Sequence, residues 1–308
     1  MNERSRQITS IIRKLSLFVV CLLILVGCSS KTSVKTSTLP VIPSTAVSTT
    51  GFNTSSTVLE VYFLDVGQGD SEILRYGDST MLIDAGTNQS TNTLLADIKN
   101  LGITKFNVII ATHPHEDHIG GLDGVINLYP FDEIFMPKTP QVTTKTFQDV
   151  LTAIKNKSKQ ITSPIPGSVL NFGDCQCTIL APNSQNYDDL NNYSIVLKLV
   201  FKNVSFLFTG DAQVLSENEM LAKGYNLKAD VLKVGHHGSE TSTSLNFLNA
   251  VAPKYAAIEV GAGNDYGHPK ATTLQKLAAA NVNVYRTDLN GTIRMFSDGS
   301  TIQIGTAK

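Results

Sequence analysis

Half of the histidines in this 308-residue chain stand within six positions of one another, in "THPHEDHIGG" (112–121). His113 and His115 are two apart in an extended stretch, so both project to one side. Asp117 and His118 follow where a helix would begin. Two imidazoles on one side and a carboxylate–imidazole pair on the other suit two adjacent divalent ions. Nitrogen and oxygen ligation with open positions suits zinc, manganese or iron. A merely polar surface loop would not account for three histidines at this spacing.

The remaining histidines lie in similar surroundings: His236 and His237 in "KVGHHGS", His268 in "DYGHPK". Asp84 in "LIDAG" and Asp211 in "LFTGDA" each follow an apolar run and stand beside a glycine. Either could be a turn-forming Asp; at the end of a buried strand either is also a candidate ligand. Asp211 could bridge two ions. Asp84 could ligate directly, or hold a ligand histidine in one tautomer from behind. For His268 an incidental role stands beside a functional one. Ser239, Thr241 and Ser242 in "GSETSTS", with Lys270, could contact a substrate phosphate or serve only as loop residues. The glycine-rich segment Gly67 to Asp70 could close over the site, presenting Gln68 and Asp70, or be a tight turn.

The elements that must position these residues are legible as runs of apolar residues. "VLEVYFLDVG" reads as a strand, and "SEILRYGDSTMLIDAG" as two strands around a Gly-Asp-Ser turn. "TNTLLADIKNLGI" and "KTFQDVLTAIKNKS" carry helical periods. "FNVIIATH" is a short buried strand, and "YSIVLKLVFKNVSFLFTGD" a long hairpin turning at Lys202-Asn203. "SENEMLAKGY" places Ser216 and Glu219 in capping-box register at a helix start. "DVLKVG" and "YAAIEVG" are strands, "ATTLQKLAAA" a helix. "NVYRTDLNGTIRMFSDGSTIQIG" reads as a meander with Asn-Gly and Asp-Gly turns. Strands in runs with helices interspersed give an α/β or α+β layered domain. In it, polar residues follow at once where buried strands end.

Residues 1–27 read as a secretory signal. Arg4, Arg6, Arg13 and Lys14 precede the apolar "LSLFVVCLLILVG", which is short for a membrane span. "LVGC" resembles a bacterial lipobox, with cleavage before Cys28 and lipid on its thiol; an uncleaved anchor is the alternative. Either places the rest of the chain at the outer face of the cytoplasmic membrane. Residues 28–56, rich in Ser and Thr, would form a tether, and 57–308 the folded domain. Cleavage removes four of 25 basic residues and one of 26 acidic ones, leaving 21 and 25 and a net charge of −4. Such a chain has no general attraction for phosphate. Cys175 and Cys177 would share one face of a strand, as a plain pair or, outside the cell, an oxidised one.

Taken in order, "LDVGQGDSEIL", "MLIDAG", "THPHEDHIGG", "LFTGDA", "KVGHHGS" and "YGHP" resemble the metallo-β-lactamase fold, and more narrowly the hydrolase domain of ComEC-type DNA-uptake proteins. The resemblance covers about residues 58–304. It implies an α+β, four-layer αββα sandwich with mixed sheets and a metal-dependent hydrolase of esters or phosphodiesters, associated in the ComEC type with DNA. By position, His113 and His115 would bind one metal. Asp117, His118 and one of His236 and His237 would bind a second, and Asp211 would bridge, with Asp84 in support. Asp117 or Asp211 would orient the attacking water, and Ser239, His268 and Lys270 would meet the substrate.

Three departures qualify the resemblance. Where the family has a third histidine for the first metal, this chain has "NNYSIVLKL". Asn192 stands there as a weak ligand, which suits a looser site and manganese. His115 replaces an Asp common in ComEC-type domains. No multi-span channel is expected beside the domain, since the only long apolar run reads as the signal. The expected protein is therefore a tethered hydrolase with two zinc or manganese ions, a phosphodiester substrate such as DNA, membrane contact through Cys28 alone and no protein partner. Cell-wall phosphodiesters or small esters and lactones are alternative substrates, and a non-catalytic binding lipoprotein is the third reading.

Overall fold

The computed structural model describes residues 58–140 and 142–308. The expected signal peptide at 1–27, Cys28 and the tether to residue 56 lie outside the described residues. Among the described residues no helix is long and apolar enough to cross a membrane.

Fifteen strands among the described residues form two sheets. The first runs in the order β15 (Ile302–Thr306), β14 (Ile293–Ser297), β1 (Leu59–Phe63), β2 (Glu72–Tyr76), β3 (Ser79–Ile83), β4 (Phe106–Ile110), β5 (Phe131–Phe135), β6 (Ile161–Thr162). The second runs β13 (Asn283–Arg286), β12 (Tyr255–Ile258), β11 (Val231–Lys233), β10 (Val204–Phe208), β9 (Val196–Phe201), β8 (Cys175–Ala181), β7 (Val169–Phe172). Each sheet is antiparallel at one end and parallel at the other: β3 to β6 are parallel, and so are β10 to β13.

Strands covered on both faces need apolar residues at successive positions, which is why "MLI", "VII" and "FLF" do not alternate. One set of side chains, including Met81, Val108, Ile110, Leu197, Leu199, Phe206 and Phe208, fills the space between the sheets. On the first sheet's outer face Leu82 and Ile109 pack under α1 (Thr91–Asn100), α3 (Leu122–Leu128) and α4 (Lys145–Asn156), after the single-turn α2 (Glu116–Ile119). On the second sheet's outer face Leu207 and Leu232 meet α5 (Val214–Ala222), α6 (Leu245–Val251) and α7 (Ala271–Ala279). The domain is a four-layer αββα sandwich, as the resemblance implied.

Two local expectations are corrected. The meander is not one: β13 pairs in parallel with β12 in the second sheet, and only β14 and β15 form a hairpin, in the first. Asn290-Gly291 ends a short helix, α8 (Thr287–Asn290), that carries the chain from one sheet to the other, with Gly291 at φ +63. The capping box at Ser216 is also absent. Helix α5 begins two residues earlier, and Ser216 is buried inside it. The Ser216 amide donates to Asn192 Oδ1 at 3.3 Å, so a distant side chain caps this end. Cys175 and Cys177 are both free thiols buried in the inter-sheet core. Burial, then Asp174, pushes the Cys175 thiol up to about 12, which leaves it unreactive at neutral pH.

Candidate metal centre

The loops that follow β3, β4, β10, β11 and β12 all leave the C-terminal ends of parallel strands, and they meet at one edge of the sandwich. At their centre is Asp211, in the turn after β10. Its Oδ2 lies 3.2 Å from His118 Nε2, 3.6 Å from His237 Nε2, 3.7 Å from His236 Nε2 and 4.0 Å from His113 Nε2. Gly210 makes the turn possible: it sits at φ +49, and a Cβ there would come 2.9 Å from Thr112 Oγ1.

Each buried imidazole is held from behind. Thr112 spends its one hydroxyl proton on Asp84 Oδ2 at 2.6 Å, so at 3.1 Å it can only accept from His113 Nδ1. That fixes the tautomer and turns His113 Nε2 inward, 3.0 Å from His115 Nδ1. Asp84, at φ +54 directly after β3, takes the Thr112 amide on Oδ1 and His118 Nδ1 on Oδ2 at 2.7 Å. Its carboxylate therefore faces the back of His118. His237 donates Nδ1 to the Glu259 carbonyl at 2.9 Å and lies 3.1 Å from Asp70 Oδ1, while its Nε2 meets Asp117 Oδ2 at 3.1 Å.

His236 and His237, both at positive φ, diverge: His237 is buried, whereas His236 is half-buried and bonds Thr241 Oγ1 through Nδ1. Ligand atoms cluster within 4.8 Å of one another in the sets His113, His118, Asp211 and Asp117, His118, His237. His118 Nε2 and Asp211 Oδ1 are buried without a hydrogen-bond partner, and orphaned buried donor atoms of this kind are what a cation would satisfy. The donor set fits a divalent-metal centre around Asp211, with His113 and His115 on one side and Asp117, His118 and His237 on the other.

Burial opposes every charge here, and at His118 and His237 the attraction of neighbouring carboxylates prevails over it. Despite burial, Asp211 and then Asp84 hold the His118 imidazole well above its usual range. His237, buried likewise, is held up to about 10 by Asp211 and Asp70. Burial and the His118 charge push His113 down. In the metal-free protein at neutral pH, His118 and His237 therefore carry protons where a metal needs lone pairs. Loading the site should release about two protons, and apparent affinity should rise with pH through neutrality. Titration calorimetry in buffers of different ionisation heat measures the number; heats that do not depend on buffer would refute it.

A cleft of about 590 Å³ opens above these residues, lined among others by Gln68, His115, Asn191, His236, Tyr266 and His268. Gln68 Oε1 accepts from the Gly261 amide at 3.1 Å, and its Nε2, buried without a partner, is a free donor. The glycine loop is a tight turn packed on Asp117 that presents Gln68, and not Asp70, to the cleft. Asp70 N donates to the Asp117 carbonyl, and Gly69 passes so close that a Cβ would lie 2.3 Å from that oxygen.

Three expected contacts fall elsewhere. Asn192 is corrected as a ligand, because its amide bonds Gln213 Oε1 and caps α5. Its neighbour Asn191 lines the cleft with Oδ1 buried and unpartnered. The two sit in a 3₁₀ turn, Leu190–Tyr193, where adjacent side chains point about 120° apart. Ser239 is buried and bonded to Thr241 Oγ1, and Lys270 Nζ is bound to the Tyr266 carbonyl; neither lines the cleft. Sequence reasoning named Asp70 but missed the buried layer behind His237 to which it belongs. Lys233 Nζ lies 2.6 Å from Asp70 Oδ2, with Glu72 and Glu259 packed alongside. Burial and Asp70 push the Glu259 carboxyl up to about 8.

Comparison with known proteins agrees with this architecture. The chain is 33% identical over 253 residues to ComE operon protein 3 of Bacillus subtilis (strain 168), covering 76% of this chain and 32% of that protein. It is 28% identical over 237 residues to competence protein ComA of Neisseria gonorrhoeae, covering 75% and 31%. It thus spans about a third of the length of the curated relatives it matches. Among solved structures it resembles CmlA, a diiron beta-hydroxylase from Streptomyces venezuelae (TM-score 0.54, 13% identity, 80% of this chain, 55% of that one). It also resembles Tm1679, a metal-dependent hydrolase of the beta-lactamase superfamily (TM-score 0.50, 13% identity, 74% and 95%). At such identity these two speak for the fold alone. The family model that describes the metallo-beta-lactamase superfamily matches residues 64–261, from the end of β1 to the loop after β12. Every loop that meets at Asp211 begins within that span, and the chain belongs to this superfamily of metal-dependent hydrolases.

Proposed function

We propose that the protein is a metal-dependent phosphodiesterase that degrades DNA outside the cell, tethered to the membrane through lipidated Cys28. The observation that carries the hydrolytic part is the convergence of His113, His118, His236 and His237 on one oxygen of Asp211. The DNA part rests on the competence-protein relatives, and the tether on the lipobox-like "LVGC".

In this reading His113, His115 and Asp211 hold one divalent ion, zinc or manganese, and Asp117, His118, His237 and Asp211 hold the other. Bound there, the ions would lower the pKa of a water and offset negative charge as it develops on the phosphoryl oxygens. The protein's own groups do the rest. Asp117, half-buried at the cleft floor, orients the water, and Asp211 keeps the four imidazoles turned inward. The unpartnered Gln68 amide donates to a phosphoryl oxygen. His268, whose pKa burial and His236 lower to about 4, stays neutral at working pH and acts as a hydrogen-bonding group rather than a cation. Among the described residues, no Lys or Arg lines the cleft, so strand binding should depend only weakly on salt.

The test is release of nucleotides from a single-stranded oligonucleotide by the protein loaded with manganese or zinc, with chelator and a His118→Ala variant as controls. Metal-dependent release, lost in the variant, is the expected result. A metal-loaded protein that cleaves no strand would reject DNA and direct the search to wall phosphodiesters and small esters.

A further inference from the structure

We propose that Tyr266 is a stacking platform for an unpaired nucleobase beside the scissile phosphodiester, an inference that rests on the phosphodiesterase reading above. Tyr266 is 63% exposed, and it is the one aromatic among the exposed large hydrophobic side chains of the described residues. It stands at the rim of the metal-centre cleft. Its ring stacks on His268, with centroids 5.7 Å apart and planes at 21°. His268 in turn meets His236 edge-on at 5.5 Å, and His236 Nε2 lies 3.7 Å from Asp211 Oδ2. A row of rings thus leads from the central carboxylate to an open aromatic face at the surface. One strand could place a phosphate near the first and a base on the last.

The loop that carries Tyr266 is braced, so the face is presented rather than waved. Asn264 donates to the Gly261 and His268 carbonyls and accepts from the His268 amide. Lys270 Nζ grips the Tyr266 carbonyl at 2.7 Å. Because no Lys or Arg lines the cleft among the described residues, the strand beyond the phosphate at the metal centre is not held by basic side chains. Base stacking on an aromatic side chain adds affinity there, and it is indifferent to sequence because every base has a π face. Bases in a duplex already stack on one another, so the platform selects single strands and frayed ends.

The chain contains no Trp, so Tyr266→Trp gives the full protein a single indole at the proposed contact. The metal-loaded variant is mixed in stopped flow, before turnover, with an oligothymidylate or with a tetrahydrofuran-spacer strand of equal length and charge that lacks bases. Quenching by the thymidylate strand alone is expected. In hydrolysis, Tyr266→Ala should lower the preference for thymidylate over spacer strand roughly ten- to a hundredfold through KM, and Tyr266→Phe should retain it. Equal quenching by both strands, or an unaltered preference in Tyr266→Ala, overturns the platform while the nuclease reading stands. If the wild-type protein hydrolyses neither strand, the nuclease reading falls, and base-dependent quenching alone still decides the platform.

Discussion

An Asp211→Ala variant will fold, lose tight metal binding and lose metal-dependent hydrolysis by about a thousandfold or more. Residues behind the ligands typically cost ten- to a hundredfold, and Asp211 stands in front. Its Oδ2 is the oxygen on which four imidazole Nε2 atoms converge, so its removal disables both halves of the centre at once. The fold survives because the groups left behind can neutralise themselves. His118 and His237 are protonated in the metal-free protein chiefly through Asp211's field, against their burial. Without that field their pKa values fall, which makes it easier for them to shed protons rather than remain buried charges. Metal content measured by mass spectrometry, beside a thermal melt, separates the two effects. A variant that binds two ions as tightly as the wild type would remove Asp211 from the centre.

The residues that face the centre were legible because they are crowded along the chain and placed just after apolar runs: "THPHEDH", "LFTGD", "VGHH". Strands buried on both faces announce themselves, and so do amphipathic helices such as Thr91–Asn100. What the sequence could not give was direction at single-residue scale. Asn191 and Asn192 differ by one step in a 3₁₀ turn, yet one lines the cleft and the other caps a helix 24 residues away. Nor could it give the partners that meet only in three dimensions. Asp70 and Lys233 are 163 positions apart, and Lys233 lies within the apolar-looking "VLKVG", where a lysine reads as a solvent-facing strand position. The meander failed for a related reason: local turn chemistry says that a chain reverses, not which of two sheets receives the next strand.

Lys233→Met will destabilise the protein by roughly 3–5 kcal/mol, the usual cost of removing one partner from a buried ion pair. Lys233 and Asp70 are both fully buried, 2.6 Å apart, and the pair stands directly behind His237. Burial alone would raise the Asp70 pKa, but Lys233 and then His237 bring it down to about 2. For an acid whose folded pKa is depressed, the associated stability is present above its unfolded value and lost as pH falls through about 2. The deficit of the variant should therefore be full above about pH 4 and shrink on acidification. Glu72 and Glu259 act in the opposite sense. Burial raises both, Glu259 to about 8, so the folded protein holds protons that the unfolded chain releases. Stability from these two is present below the unfolded carboxyl pKa and declines as pH rises towards 8. Without the Lys233 charge to oppose it, that decline should extend to higher pH in the variant. Adding Asp70→Asn to Lys233→Met should restore part of the loss, because a neutral pair leaves no uncompensated charge. It should not restore metal affinity, since His237 then lacks the carboxylate behind its Nδ1. Denaturant melts across pH, run on both variants beside metal titrations, read the two roles separately. A double variant as unstable as the sum of the singles would show that the pair is not coupled.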